Sequence, residues 1–342
     1  MDAWFDAGVA TSTWLQQNYS GLGQIMSIIS ALGRFEFYLA LVLLVYWNID
    51  KYQGKRLAYL LSVGNFLINT SKHLLRQPRP YWVDHNLQME ATSGYGIPSG
   101  HVTSATITYI YLANWIRKQW AWVVAFIIIA LMALSRVFLA QHFLHDVAAG
   151  VILGSAVLLG YWLWHIYAQD DFREMILGQR FWLATGVPIA LGALYVVILF
   201  ILGEPDLTVS WGDLIELAEF ESLEEVVSSV AILIGLGMGF VLEGSRVRYL
   251  VEAELWRKIV RYLLGLVVTL AILYGLRAVF ATVAPEGSPD WLIMTLRFIR
   301  YYLTAVWASL YAPWAFVKIG LASAEPEQPI TVSINRLKSD KK

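Results

Sequence analysis

Long apolar runs separated by short polar breaks make up most of this chain. Nine runs approach the roughly 20 residues that cross about 30 Å of hydrocarbon as a helix. They lie near 34–49, 57–75, 100–116, 120–138, 143–166, 181–202, 226–243, 259–283 and 296–318. The first is short, and its outer end extends back through Ile25–Leu32. Residues 1–24 are more amphipathic and are expected to lie along the membrane interface. The pattern predicts an all-α polytopic membrane bundle of about nine spans.

The polar breaks divide the chain. Asp170–Glu174 closes a first block, 1–170; a second membrane block without histidine occupies 171–323; a polar tail, 324–342, follows. Between spans six and seven lies an acidic segment, Glu204–Glu225, whose carboxylates do not gather on one helical face. A short surface helix is expected there, serving packing or a lid. Glycines at 235, 237 and 239 predict close helix contact in span seven. No internal repeat is present.

Composition agrees with the apolar pattern. Of the 342 residues, 58% are hydrophobic and only 15% are charged. A soluble domain carries about 25% charged residues. Fifteen tryptophans suit membrane interfaces. A net charge of −1 gives no field for nucleic acid. The absence of cysteine removes disulfides, thiolate metal sites and thiol nucleophiles. Met1–Asn18 lacks a basic stretch and carries two aspartates, so no cleavable signal peptide is expected.

Charge also orients the bundle. Lys51, Lys55, Arg56, Arg117, Lys118, Arg173, Arg180, Arg246, Arg248, Arg257 and Lys258 all fall on one side of a nine-span chain, with the basic C-terminal tail. By the positive-inside rule that side is cytoplasmic and the N-terminus lies outside. Arg34, Arg277, Arg297 and Arg300 dilute the signal near outer span ends. Lys72, Arg76 and Arg79 break the rule on the outer side. Charge next to hydrocarbon is expensive, about 2.5–3.5 kcal/mol per Lys or Arg at a helix centre on insertion scales. An outer anion site explains why it is tolerated here.

Three strings carry that site: Lys72 to Pro80, Pro98–Ser99–Gly100–His101, and Ser135–Arg136 followed by His142 and Asp146. Three cations suit the oxygens of a phosphoryl group, and two histidines suit a nucleophile plus a general acid. The spacing K-x6-R-P, P-S-G-H, S-R-x5-H-x3-D resembles the type 2 phosphatidic acid phosphatase superfamily of membrane lipid phosphatases. Tyr95–His101 is similar to bacterial members and to sphingosine-phosphate-type phosphatases. The resemblance spans 72–146, under a quarter of the chain. The four spans beyond position 171 depart from the superfamily's six-span minimum.

Residue by residue, His142 and Asp146 share a helix face at four-residue spacing. The carboxylate can orient the imidazole while His142 attacks phosphorus, as the resemblance also implies. Arg136 and His142 converge only if the helix ends between them, which predicts a turn near Leu139–Gln141. Arg79 is presented by a Pro-flanked extended loop, with a planar fork for two oxygens, while Lys72 supplies a point charge. Ser99 and Gly100 open a helix whose free N–H groups suit phosphate. His101 there can protonate a leaving alkoxide and then activate water. Arg76 reads as a headgroup or surface contact, His73 and His85 as loop or interface residues, and His145 as peripheral. No histidine forms a metal triad with carboxylates, so neither metal nor cofactor is expected.

The expected function is therefore hydrolysis of a lipid phosphate at the non-cytoplasmic face of a membrane, periplasmic, extracellular or lumenal. Phosphatidate, lysophosphatidate, sphingoid-base phosphates and polyprenyl (undecaprenyl-type) phosphates or diphosphates are the candidate substrates. The alternatives are a phosphotransferase using the same residues, in which a hydroxyl replaces water, and a lipid-binding or transport protein with a relict phosphate site.

Overall fold

The computed structural model describes residues 3–90, 92, 94–285 and 287–326. Most of tail 324–342, from 327 on, lies outside the described residues. Among the described residues fourteen α-helices follow one another. The first six are α1 Ala3–Asn18, α2 Gly23–Ala31, α3 Phe35–Leu44, α4 Lys51–Leu75, α5 Pro80–Val83 and α6 Gly100–Ile116. Next come α7 Gln119–Phe138, α8 Leu144–Tyr167, α9 Gln169–Glu174, α10 Leu177–Leu202 and α11 Ile215–Leu242. The last are α12 Leu255–Val283, α13 Asp290–Val306 and α14 Ala312–Lys318. No strand is present among the described residues, whose only extended pairing is an isolated bridge between Tyr249 and Ala324.

All nine apolar runs are helical. By length and composition five helices can cross a membrane, or six if α2 and α3, bent by 47° at residues 32–34, form one span. The other runs fall short of that measure. α6 is only 17 residues long, and α4 carries lysines, an arginine and two asparagines within its length. The protein is a multi-pass membrane protein; a count of nine spans is not established.

Local chemistry sets the helix ends near the site. The Asp50 carboxylate accepts from Tyr52 N (2.8 Å) and Gln53 N (3.0 Å), capping the start of α4. Arg76 ends that helix in the left-handed region (φ 44°), its N–H on Lys72 O at 2.9 Å, an αL C-cap. Three π-helical turns, Val45–Ile49, Glu243–Val247 and Trp307–Tyr311, meet in one core around Tyr46, Trp47, Tyr249 and Phe316. Tyr46 OH and Trp47 Nε1 donate to the carbonyls of Ser309 (2.8 Å) and Ala308 (3.1 Å). These acceptors lie where the wider turn shifts the register of the helix ladder.

Two expectations are corrected. The N-terminal segment does not simply lie on the interface: in α1, Ser12 Oγ donates to Val137 O at 2.9 Å, and Gln16 Nε2 to Leu87 O and Phe138 O. It thus caps the end of α7. The acidic segment is not a separate surface helix either. From Ile215 it belongs to the 28-residue helix α11, which packs against α4, α10 and α13. The glycines behave as expected. A Cβ at Gly235 would come within 2.7 Å of Ala305 Cβ, and one at Gly237 within 2.6 Å of Ala184 O. Only a residue without a side chain permits so close an approach of helices.

Both ends of the α4–α11 pair are pinned by charge. At one end Glu243, fully buried, meets Lys55 at 2.5 Å and Lys51 at 4.0 Å. At the other, Glu219 binds His73 Nε2 (2.9 Å), Arg76 Nε (3.0 Å) and Tyr95 OH (2.5 Å). His73 also meets Tyr195 OH at 2.6 Å, and Arg76 donates to Gly203 O at 2.9 Å. His73 is therefore a buried tie to α10 and α11, and Arg76 is a tie to the second block rather than a headgroup contact. Glu219→Ala, which strands three donors at once, should cost about 2 kcal/mol or more. A lower unfolding temperature in detergent is the readout, and Glu219→Gln should recover part of the loss.

Candidate active site

The three motif strings converge on one cavity of about 540 Å³. Lys72, Arg79, Gly100, His101, Arg136 and His142 all line it. The predicted turn is present: α7 stops at Phe138, Ala140 takes a positive φ of 53°, and α8 starts at Leu144. Gln141 N and His142 N both donate to Arg136 O, at 3.0 and 3.3 Å. That reversal folds His142 back beside the end of α7 and so brings it to the arginine.

Each cation is held by its own scaffold. Arg79, 3% exposed, donates Nε to Gly94 O at 2.6 Å and an Nη to Gln141 O at 3.0 Å. Arg136, 2% exposed, donates to the Ser30 hydroxyl, while its Nε has no partner among the described residues. Lys72, on the last turn of α4, is partly buried and faces the same space. These three share the cavity lining with Arg34, Arg277 and Arg300, and two of the three are almost fully enclosed, so the pocket suits an anion in their midst.

The Asp146 carboxylate is fully buried. Its Oδ2 accepts from Phe143 N at 2.9 Å and faces His142 Nδ1 at 3.4 Å. That second approach lacks the alignment of a hydrogen bond, a common state of an unliganded catalytic pair. Asp146 Oδ1 lies 3.2 Å from His145 Nε2, and the His145 ring stacks on Phe143 at 5.2 Å. His145 is thus not peripheral, since it touches the other oxygen of the same carboxylate. Burial, then the charges of Arg79, Arg136 and Lys72, hold the His142 imidazole well below its ordinary value of 6.5. Both causes penalise the protonated ring. Burial and the neighbouring cations thus favour the neutral ring, the form with a free lone pair.

Gly100 opens α6 inside the cavity, so the N–H groups of its first turn are oriented for an anion. Ser99 lies next to the cavity rather than in its lining. Its own N–H is taken by Asp146 O at 3.0 Å, and its hydroxyl is fully buried without a partner. His101 packs edge-on against Gly33, where an added Cβ would run into Cδ2 of the ring and lie 2.9 Å from its Cγ. Ser30 and Gly33, at the α2–α3 break, thus support the site, and no motif spacing points to them. Among the described residues no three of His, Cys, Asp and Glu stand together as a metal site.

Beyond the cations the cavity changes character. One wall is a seam of α4: Ala58, Leu61, Asn65, Ile68 and Lys72; the facing wall is a seam of α11: Ser222, Glu225, Ser229, Ile232 and Leu236. Each steps by three and four residues, the spacing of one helix face. Both run from polar at the phosphate end to apolar about 20 Å away, at about 1.5 Å per residue. Leu39, Val42, Leu273 and Ala305 extend the apolar part. Carried through Leu236, the wheel of α11 reveals this face; stopped at Glu225, it shows only scattered acids.

Two family models match parts of the chain. Residues 53–170 match the model described as PAP2 superfamily, and residues 227–324 match that described as PAP2 superfamily phosphatase, transmembrane extension. Sphingosine-1-phosphate phosphatase 2 of Homo sapiens is 30% identical over 174 residues, covering 47% of this chain and 44% of the relative. Lipid phosphate phosphatase delta of Arabidopsis thaliana is 25% identical over 171 residues, covering 45% and 39%. Glucose-6-phosphatase catalytic subunit 1 of Canis lupus familiaris is 25% identical over 187 residues, covering 46% and 52%. The matched part spans about half the length of these curated relatives or less.

Proposed function

We propose that this chain, which carries a PAP2 superfamily domain and that superfamily's transmembrane extension, is a metal-independent lipid phosphate phosphatase working through a phosphohistidine. The observation that supports the lipid reading most is the continuity of the cavity, from three cations and two histidines into an apolar passage between α4 and α11. A headgroup phosphate fits the first part and a hydrocarbon tail the second.

In the first step His142 Nε2 attacks phosphorus and the ester P–O bond breaks. Asp146 holds the imidazole through Nδ1 and stabilises the positive charge that develops. His101 gives its proton to the departing alkoxide. In the second step His101 takes a proton from water, the hydroxide displaces the histidine, and inorganic phosphate leaves. Lys72, Arg79, Arg136 and the α6 N–H groups neutralise the equatorial oxygens throughout. The distribution of Lys and Arg supports a site on the non-cytoplasmic face.

Phosphate release by the detergent-purified protein from a panel of lipid phosphates, with EDTA present, tests this reading. Release that survives EDTA is the expected outcome. Loss of release in EDTA, restored by added divalent ion, would contradict it. Transfer of the phosphoryl group to an added lipid or sugar hydroxyl without net release would instead favour a phosphotransferase.

A further inference from the structure

Between the phosphate end and the apolar passage, α11 presents Glu221 and Ser222 to the cavity. Ser222 is 2% exposed, and its hydroxyl has no hydrogen-bond partner among the described residues. Glu221 Oε2 is likewise buried and unpartnered. Neighbouring acids of the helix are neutralised: Glu219 by His73 and Arg76, and Glu224 and Glu225 by Arg297 at 3.1 and 2.6 Å. Among the described residues Glu221 forms no such close ion pair, and the charges of Lys72 and Arg79 reach it only from across the cavity.

Its position relative to the phosphate groups is tight. The point a Cβ on Gly94 would occupy lies 3.1 Å from Glu221 Oε2 and 4.0 Å from Lys72 Nζ. Gly94 O accepts from Arg79 Nε at 2.6 Å. A carboxylate so near a phosphate pocket repels the anion it is built to hold. An ionised carboxylate also only accepts hydrogen bonds, so it calls for a donor. Both facts are reconciled by a ligand that carries its own positive charge beside its phosphate.

We infer that Glu221 and Ser222 form a subsite for an ammonium group borne close to the phosphate ester, so that amino-alcohol lipid phosphates are preferred over neutral-backbone ones. Glu221 accepts from the ammonium, Ser222 accepts a second of its protons, and lipids without the ammonium leave the buried carboxylate oxygen without a donor. The second membrane block thereby contributes specificity to a reaction whose reacting groups lie in the first. This inference rests on the lipid-phosphatase reading above.

The test compares sphingosine 1-phosphate, its N-acetyl derivative and 1-acyl lysophosphatidate, on wild type, Glu221→Gln and Ser222→Ala. In wild type, N-acetylation should lower kcat/KM by about ten- to hundredfold. In Glu221→Gln the preference for the free amine over both other lipids should shrink by the same factor, and in Ser222→Ala by a smaller one. A Glu221→Gln protein that loses the same factor on all three lipids would overturn the subsite, since the residue would then merely support Lys72. Wild type indifferent to N-acetylation would overturn it as well. If wild type releases phosphate from none of them, the phosphatase reading fails separately. The subsite is then judged by thermal shift, where equal stabilisation by the amino and N-acetyl lipids would rule it out.

Discussion

His142→Ala should abolish phosphate release, with kcat falling about 10⁴-fold or more, because the proposed mechanism forms its covalent intermediate on this ring. The unfolding temperature should change little, as the only polar approach of the imidazole among the described residues is the long one of 3.4 Å to Asp146 and the ring borders the cavity. Labelling with a ³²P-lipid and quenching in base should trap an acid-labile phosphoprotein in wild type and none in the variant. Label retained by His142→Ala would mean that another residue is phosphorylated.

The Asp146 series refines this. One oxygen, Oδ2, faces both Phe143 N and His142 Nδ1, while Oδ1 faces His145. In Asp146→Asn the amide oxygen can keep the Oδ2 role and the NH₂ can donate to His145. The His142 tautomer survives and only the charge is lost, so a fall of about 10²-fold is expected. Asp146→Ala loses the tautomer as well and should fall about 10⁴-fold. Equal loss in the two variants would contradict the shared-oxygen geometry.

The second large effect is expected at a residue far along the chain from the group it supports. The methyl of Gly33→Ala would run into His101 Cδ2 and lie 2.9 Å from Cγ, forcing the ring to turn away. A displaced general acid should lower kcat by about 10²-fold. Binding of phosphate or vanadate, which rests on Lys72, Arg79 and Arg136, should be nearly unchanged. The decisive comparison is kcat against the inhibition constant for vanadate. Parallel loss of both would mean that the α2–α3 break shapes the anion pocket rather than His101.

These predictions divide the chain by how each feature can be read. The helix ends that build the reacting centre are local: Pro78 and Pro80 bar a helix around Arg79, Gly100 opens α6, and the Arg136–His142 spacing requires a reversal. The structure has that reversal at Ala140, and the sequence thus brings Arg136 and His142 to one site. His73, Arg76 and His145 escape a sequence reading for one common reason. Their partners, Glu219, Tyr195 and the second oxygen of Asp146, are set by packing. A helix wheel records which face is buried without recording against what.

By itself, then, the sequence determined an all-helical membrane chain and the grouping of its motif cations around two histidines. All of this follows from helix period, proline and glycine geometry, and the cost of charge near hydrocarbon. Only the tertiary structure decided that α11 forms the facing wall of the cavity, that Glu219 ties the second block to the Lys72–Pro80 loop, and that the α2–α3 break backs His101. Those contacts join positions far apart in the chain. They arise because helices with similar apolar faces are sorted by close packing and by which buried charge finds its counterion, neither of which is written in any single stretch of the chain.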